Sequence, residues 1–325
     1  MSLPVRLLAW FTAAVLASAA VAQQPPFPIL GKPIRLILPA GPGNVVDARA
    51  RQIADKLGTA LGQPVIVENR PGASGTLAVQ EAAKAAADGH TIFNGNIQTH
   101  ALNELLLPDA PRVDPALVPV TKQNSAPLIV VVNRALPAST LAELFALAKA
   151  RPGQLNYGTG GLGATSHLYG EPLAAEHGIE MRPIHYKSVG GDLVDLAAGE
   201  LQVGFHYYTG VVPYLQAGKI RALAVAGTRR IPALADVPTV AESGFASLEF
   251  YGWSGFFVPA GTPAQAVDRL QREIARILHS KEIRDSHIAA GAEVHGDSPR
   301  ELAAFIAAER ERLGRLIRDR NIRAQ

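Results

Sequence analysis

The sequence predicts an α/β protein of two lobes joined by two strands around a cleft. Three observations predict it. β-rich runs alternate with helix-patterned runs in two successive series, one before residue 125 and one after it, which is the pattern of βαβ units on mostly parallel sheets. The end of the chain departs from this pattern, with a long β-rich run followed by helices that have no strand between them. Each series also contains a glycine-rich turn that feeds a helix.

In the first series, "PIRLILPA" is a strand, and "VVDARARQIADKLGTALG" has helical spacing and stops near Gly62. "PVIVENR" is a second strand, "SGTLAVQEAAKAAADG" a second helix and "HTIFNGN" a third strand. The second series opens with "PLIVVVN" and a capping box, Thr140 with Glu143, ahead of "LAELFALAKARPG". It continues as "LNYG", a helix from about Ala164 to His177, "MRPIHYK", a helix over "GDLVDLAAG", then "LQVGFHY" and "IRALAVAG". The closing part begins with "SLEFYGWSGFFVPAG". Thr262 and Pro263 should cap one helix, with proline at its first position, and a Ser298–Glu301 box should start another that runs to about Asp319. These last two helices are expected to return to the outside of the first lobe. The chain would cross between lobes near 124–130 and 248–256. Residues 23–125 with 250–325 then form lobe 1 and residues 126–249 form lobe 2.

The first residues read as a secretory signal peptide, residues 1–22. Arg6 is followed by an apolar run from Leu7 to Val21 and a small-x-small site, Ala20-Val21-Ala22. That run is short for a membrane span, and polar, proline-rich sequence follows it. The mature chain is expected to be periplasmic. With no cysteine present there is no disulfide, no thiolate nucleophile and no lipidated anchor. Removing residues 1–22 takes away one cation, so formal charge falls from +3 to +2. No basic run interleaves with aromatics, which speaks against nucleic-acid binding.

The two glycine-rich turns are "LPAGPGNVVDARA", with Gly41 and Gly43, and "NYGTGGLGATSHL", with Gly158, Gly160 and Gly163. A turn of this kind leaves unpaired N–H groups at the positive end of a helix, a ready anion site. Two of them across a cleft suit a small acid. The second turn also spells G-x-G-x-x-G. A dinucleotide site needs an acidic residue at the end of the next strand, yet "MRPIHYKSVGG" ends in Tyr186-Lys187-Ser188. Enzymatic readings have no better footing. "GWSG" is not a nucleophile elbow, Ser166 and His167 are adjacent on a helix and do not face each other, and no histidine pair has metal-binding spacing. Neither cofactor nor metal is expected, and the protein is not expected to be an enzyme.

The chain resembles the extracytoplasmic solute-binding receptors of the tripartite tricarboxylate transporter system, the Bug family. The likeness covers nearly the whole mature chain. It is carried by "KPIRLILPAGPGNVVDARAR", "LGQPVIVENRPGASG", "AAADGHTIF", "LAELFALAKARPGQLNYGTGGLGATSHL", "HYKSVGGDLVDLAAGELQVGF", "AGKIRALAVAGTRRIPALADVPTVAESG" and "VPAGTPA". The resemblance implies a Venus-flytrap, type II-like periplasmic-binding-protein fold that holds a small carboxylate without chemistry and serves a membrane permease. Carried over to this sequence, the first-lobe site residues are Ala40, Gly43, Asn44, Val45, Val46 and Asp47. The second-lobe residues are Thr159, Gly160, Gly163, Ala164, Thr165, Ser166 and His167. Segments 94–100, with Asn96, and 205–210, with His206 and Tyr207, should also face the cleft. A receptor that closes around a solute needs no second subunit, so a monomer is expected.

Several positions depart from the family's usual pattern. Ala40, Asn44 and Val45 stand where phenylalanine, a second glycine and a hydroxyl residue are common, and Phe205-His206-Tyr207 replaces an F-D-N segment. An aromatic or longer apolar monocarboxylate therefore suits the site better than a short polar dicarboxylate. Two readings of 206–208 stand side by side: His206 and Tyr207 touch the ligand, or the tyrosines pack at the hinge and His206 caps a strand. Asp47 caps its helix or accepts a hydrogen bond from a ligand hydroxyl or from water. Glu68-Asn69-Arg70 and Glu242-Ser243 are expected to be structural turns. A role in delivering ligand to a signalling ectodomain, and an exported enzyme using the same cleft, are the alternatives.

Overall fold

The computed structural model describes residues 27–320 and 322, apart from 108, 109, 111, 187–189 and 247. Residues 1–22, expected to be a signal peptide, lie outside the described residues. The strands are β1 Ile34–Leu38, β2 Val65–Asn69, β3 Thr91–Asn96, β4 Leu117–Asn133, β5 Leu155–Thr159, β6 Met181–His185, β7 Val203–Tyr207, β8 Ile220–Val225, β9 Tyr251–Pro259 and β10 Glu293–Val294. The helices are α1 Val45–Leu61, α2 Thr76–Ala83, α3 Asn103–Leu106, α4 Leu141–Ala150, α5 Thr165–Glu176, α6 Asp192–Ala198, α7 Tyr208–Gln216, α8 Ala264–Leu278, α9 Lys281–Ala289 and α10 Pro299–Asp319. A π-helical stretch, Gln98–Leu102, leads into α3.

The strands form one curled sheet in the order β2-β1-β3-β9-β4-β7-β5-β6, with β8 and β10 also on β4. β1 pairs in parallel with β2 and β3, and β5 with β6 and β7. The centre is antiparallel. β4 pairs with β9 from Leu117 to Pro127, then with β7 and β8 from Leu128 onward. One strand therefore belongs to both halves of the sheet, and β9 runs beside it. At the seam Leu128 N–H donates to the Phe250 carbonyl at 3.1 Å, and Phe250 N–H donates to Ala226 at 3.0 Å.

The period-2 rule sorts β1 onto two cores: Ile34, Leu36 and Leu38 face one and Ile37 the other. The first core is closed by Ala50, Ile53, Ala54, Leu57 and Leu61, the apolar stripe of α1, and by Leu270, Ile274 and Ile277 of α8. Their spacing of three and four keeps one helical face on the sheet. Each fully buried leucine or isoleucine contributes roughly 1.5–3 kcal/mol. This packing fixes α1 rigidly, so its N-terminus projects past the end of β1. On the second half, Leu168, Tyr169 and Leu173 of α5 pack on Tyr157 and Phe205 and fix that helix in the same way.

The helix ends follow their local chemistry with two exceptions. α1 stops at Gly62, which takes the left-handed conformation, φ 66°. The Ser298–Glu301 capping box forms in full. At α4, Thr140 accepts from Glu143 N–H, but the Glu143 carboxylate turns to the N–H and hydroxyl of Ser139 and not to Thr140. Thr262 caps nothing, because its hydroxyl donates to the Pro259 carbonyl and α8 begins one residue after Pro263. α2 is shorter than its alanine-rich sequence suggests: Gly75, at φ 86°, fixes the start at Thr76, and the helix ends at Ala83 with Lys84 as its C-cap. α7 and α9 are helices that sequence patterning did not foresee. Pro213 and paired valines hide the first, and no side-chain cap announces the second.

Candidate functional site

A cavity of about 370 Å³ lies between the two halves of the sheet, lined by residues of both. Two helix N-termini open into it. From one side come Ala40 of the first glycine turn with Val45 and Val46 of α1; from the other come Ala164 and Thr165 of α5. Asn96 and Tyr207 also line it. The structure thus brings together Ala40, Val45, Val46, Asn96, Ala164, Thr165 and Tyr207 of the residues expected from sequence.

The remaining expected residues stand behind this wall and build it. Asn44 is the N-cap of α1: its side chain accepts from Asp47 N–H at 2.9 Å and donates to the Gly41 carbonyl at 2.8 Å. Asp47 is buried, and it accepts from Gly43 N–H, Arg51 and Asn69 at 3.0–3.1 Å. The Arg51 hydrogen bond, joined by those of Gly43 and Asn69, lowers its carboxyl from 3.8 to about 2. The Gly43 N–H is therefore engaged by Asp47. In the second turn, Gly160 N–H donates to Ser166 at 3.2 Å and Gly163 N–H to His167 Nδ1 at 3.1 Å. Thr159 Oγ1 bonds His185 Nδ1 at 2.7 Å. These side chains shape the loop from within, and burial holds His167 below its usual value.

His206 is not in the cavity wall. It lies on β7 with its ring towards α6, Nε2 2.9 Å from the buried carboxylate of Asp192. Strand alternation separates it from Tyr207, which does face the cavity. The Tyr207 hydroxyl rests over Gly252 of β9, where a Cβ would come within 2.2 Å of it. Burial pushes that phenol up to about 12. The oxygen has no hydrogen-bond partner among the described residues. Tyr208 packs on Gly291 across the two halves.

The helix ends differ in what remains unpaired. Ala164, at the N-cap of α5, supplies no side-chain acceptor, and α5 has no acidic residue in its first turn. The N–H groups of Thr165, Ser166 and His167 are left for a ligand or water. The glycines of G-x-G-x-x-G serve packing instead. A Cβ on Gly158 would meet Asp192 at 2.4 Å, and one on Gly163, at φ 72°, would meet Leu106 at 2.3 Å. That last contact packs the second turn against α3.

Of the polar floor, Asn94 lies in the segment 94–100 expected to face the cleft, whereas sequence reasoning missed Gln123, Asn124 and Ser254, and one cation. Asn94 donates to Gln123 at 2.8 Å, and Ser254 bonds Gln123 and Asn124 at 3.1 and 2.9 Å. These residues come from β3, β4 and β9, and the signal for them was the polar run Lys122-Gln123-Asn124 inside a buried strand. Arg49 of α1 also lines the cavity. Its place three residues after Val46, on the same helical face, was the available clue.

The comparisons with known proteins fit this geometry. The model of the tripartite tricarboxylate transporter family receptor matches residues 49–322. The chain belongs to this family. Protein BugT of Bordetella pertussis is 34% identical over 290 residues, 89% of each chain. A structure of an R. palustris protein with adipate is similar, with TM-score 0.82 and 33% identity, covering 92% of this chain and 99% of that one. MatC from Rhodopseudomonas palustris with bound malate has TM-score 0.76 and 28% identity over 89% of this chain and all of its own, 100%. The fold is that of a two-lobed periplasmic binding protein.

Proposed function

We propose that this protein is an exported receptor that captures a small carboxylate with an apolar body and passes it, unreacted, to a membrane permease. Residues 23–125 and 250–325 form one lobe and 126–249 the other, a division supported by the change of β4 pairing at Leu128. The carboxylate sits on the open N–H groups of α5, with the α1 end facing it. The observation that carries this reading is the uncapped N-terminus of α5 opening into a cavity that α1 also enters.

Magnitudes support it. A hydrogen bond to a charged group is worth roughly 1.5–3 kcal/mol. Three or four of them, with burial of the ligand's apolar body, reach the ~8 kcal/mol of micromolar binding after association costs. Ala40, Val45, Val46 and Ala164 give that body an apolar wall, and Tyr207 gives it a flat one. The acids bound by the R. palustris proteins, adipate and malate, are small carboxylates, and adipate has an apolar body.

The test is a thermal-shift screen of residues 23–325 against aliphatic and aromatic carboxylic acids, with NAD and NADP included. A ligand that binds only the native state raises the melting temperature by mass action. Shifts with acids that have apolar bodies, and no turnover of the acid, are expected. A shift with a dinucleotide alone would refute the reading, and a preference for malate or citrate would remove the apolar selectivity.

A further inference from the structure

We propose that the protein carries a second binding site, behind the floor of the solute cavity, that takes a small zwitterion: an α-amino acid with an apolar side chain. This site is a separate pocket and does not depend on the receptor reading above.

A pocket of about 380 Å³ opens beside the seam of the sheet, under α10. The course of β4 creates it. Between Lys122 and Asn124 the register of β4 against β9 shifts by one residue, a bulge that puts an extra residue into the strand. Gln123 and Asn124 both line the solute cavity, whereas Lys122 and Ser125 line the second pocket. The two sites thus stand back to back on one strand. Thr228, which follows β8, and Glu249, which precedes β9, complete the wall.

Lys122 is the observation that points to a ligand. It is the only buried lysine or arginine among the described residues, with 8% exposed, and it has neither an ion pair nor a hydrogen bond among them. Its ammonium lies over the Phe305 ring, 3.9 Å from the centroid. Burial lowers that ammonium from its usual value, and the carboxylates of Asp297, Glu309 and Glu293 oppose the effect without pairing with it. A desolvated cation without an anion costs stability, and a carboxylate entering the pocket would give it a charge-assisted hydrogen bond.

The other charges of the wall define the rest of the ligand. Glu309 is held by Arg312 at 2.8 Å and Glu293 by Arg229 at 2.7 Å. Glu249 has no ion pair among the described residues. Once these pairs are set aside, the pocket offers one open cation and one open carboxylate. A dianion would be repelled by Glu249 and a simple cation by Lys122, whereas a zwitterion answers both. The rings of Phe305 and Tyr251 give its side chain an apolar surface.

Isothermal titration of residues 23–325 with L-leucine and L-phenylalanine tests this. Their controls are 4-methylpentanoate and 3-phenylpropanoate, the same carboxylates without the ammonium. At least one amino acid is expected to bind wild type, and to bind Ala164→Asp, altered in the solute cavity, within about twofold of wild type. In Ala164→Asp its control acid should bind about tenfold or more weakly. Lys122→Met should weaken the amino acid about tenfold or more, and Glu249→Gln about fivefold. Glu249 is exposed, so its variant gives an answer that does not depend on how Lys122→Met folds. If neither amino acid binds wild type, the proposal is overturned. So it is by unchanged affinity in Lys122→Met or in Glu249→Gln, by loss of binding in Ala164→Asp, which would put the amino acid in the solute cavity, or by a control acid that binds Ala164→Asp as tightly as its amino acid.

Discussion

The two helix ends that meet in the cavity look alike in sequence and are built in opposite ways. α1 is capped by Asn44, has Asp47 buried in its first turn, and has the Gly43 N–H engaged by that acid. α5 has alanine at its N-cap and no acid in its first turn. The first end is electrostatically quiet and carries its positive charge one turn further on, at Arg49. The second keeps its dipole and its donors unspent. A glycine-rich turn before a helix does not by itself mark an anion site; what the next three residues do with the N–H groups decides it.

The sharpest way to break this contrast is to cap α5. Ala164→Asp places an acceptor and a negative charge on the N–H groups assigned to the ligand. Carboxylate binding should fall about a hundredfold or more, ~2.7 kcal/mol, while the helix gains about 1 kcal/mol from its new cap. Calorimetric titration and a denaturant melt read the two effects separately, and a variant that still binds would place the carboxylate elsewhere.

Uncapping α1 is the smaller, converse change. Asn44→Ala should cost about 1 kcal/mol of stability and shift carboxylate affinity only a few-fold, measured in the same way; a loss of affinity comparable to that of Ala164→Asp would mean that the two ends are equivalent after all. The smallest effect is acid-dependent. Asp47 has its carboxyl lowered from 3.8 to about 2. Its contribution to stability is therefore complete above pH 3.8 and is lost as pH falls through about 2. Unfolding followed between pH 5 and pH 2 should show a shallower acid decline in Asp47→Asn than in wild type, and parallel curves would discount the carboxylate.

Most strands, and the helices with clear caps or stripes, were legible because their cues are local: alternation in β1, Gly62 after α1, and the Ser298 box before α10. The helix α7 was hidden because its valines and Pro213 speak against helix locally, and tertiary packing overrides them. The cavity was half legible. The helix-end residues Val45, Val46, Ala164 and Thr165 follow from where each turn meets its helix. Of the floor, Asn94 lies in the expected segment 94–100, but Gln123 and Ser254 do not follow, since they come from strands distant in sequence that meet Asn94 only through the register of β3, β9 and β4. His206 shows the opposite limit. The segment faces the cleft as expected, but the two-residue period sends its ring to Asp192 and leaves Tyr207 to line the cavity.

The seam of the sheet has a mechanical consequence. The chain enters the second half at Leu128 and leaves it at Phe250, and a single backbone hydrogen bond of 3.1 Å separates the two points. The chain thus passes between the two halves of the sheet along two backbones lying side by side, like a page bound along one narrow spine. Sliding would break the β4–β9 ladder, whereas twisting the pair leaves it intact. A two-strand connection of this kind is the geometry of a hinge, so a rotation about that spine is the motion the pairing leaves open.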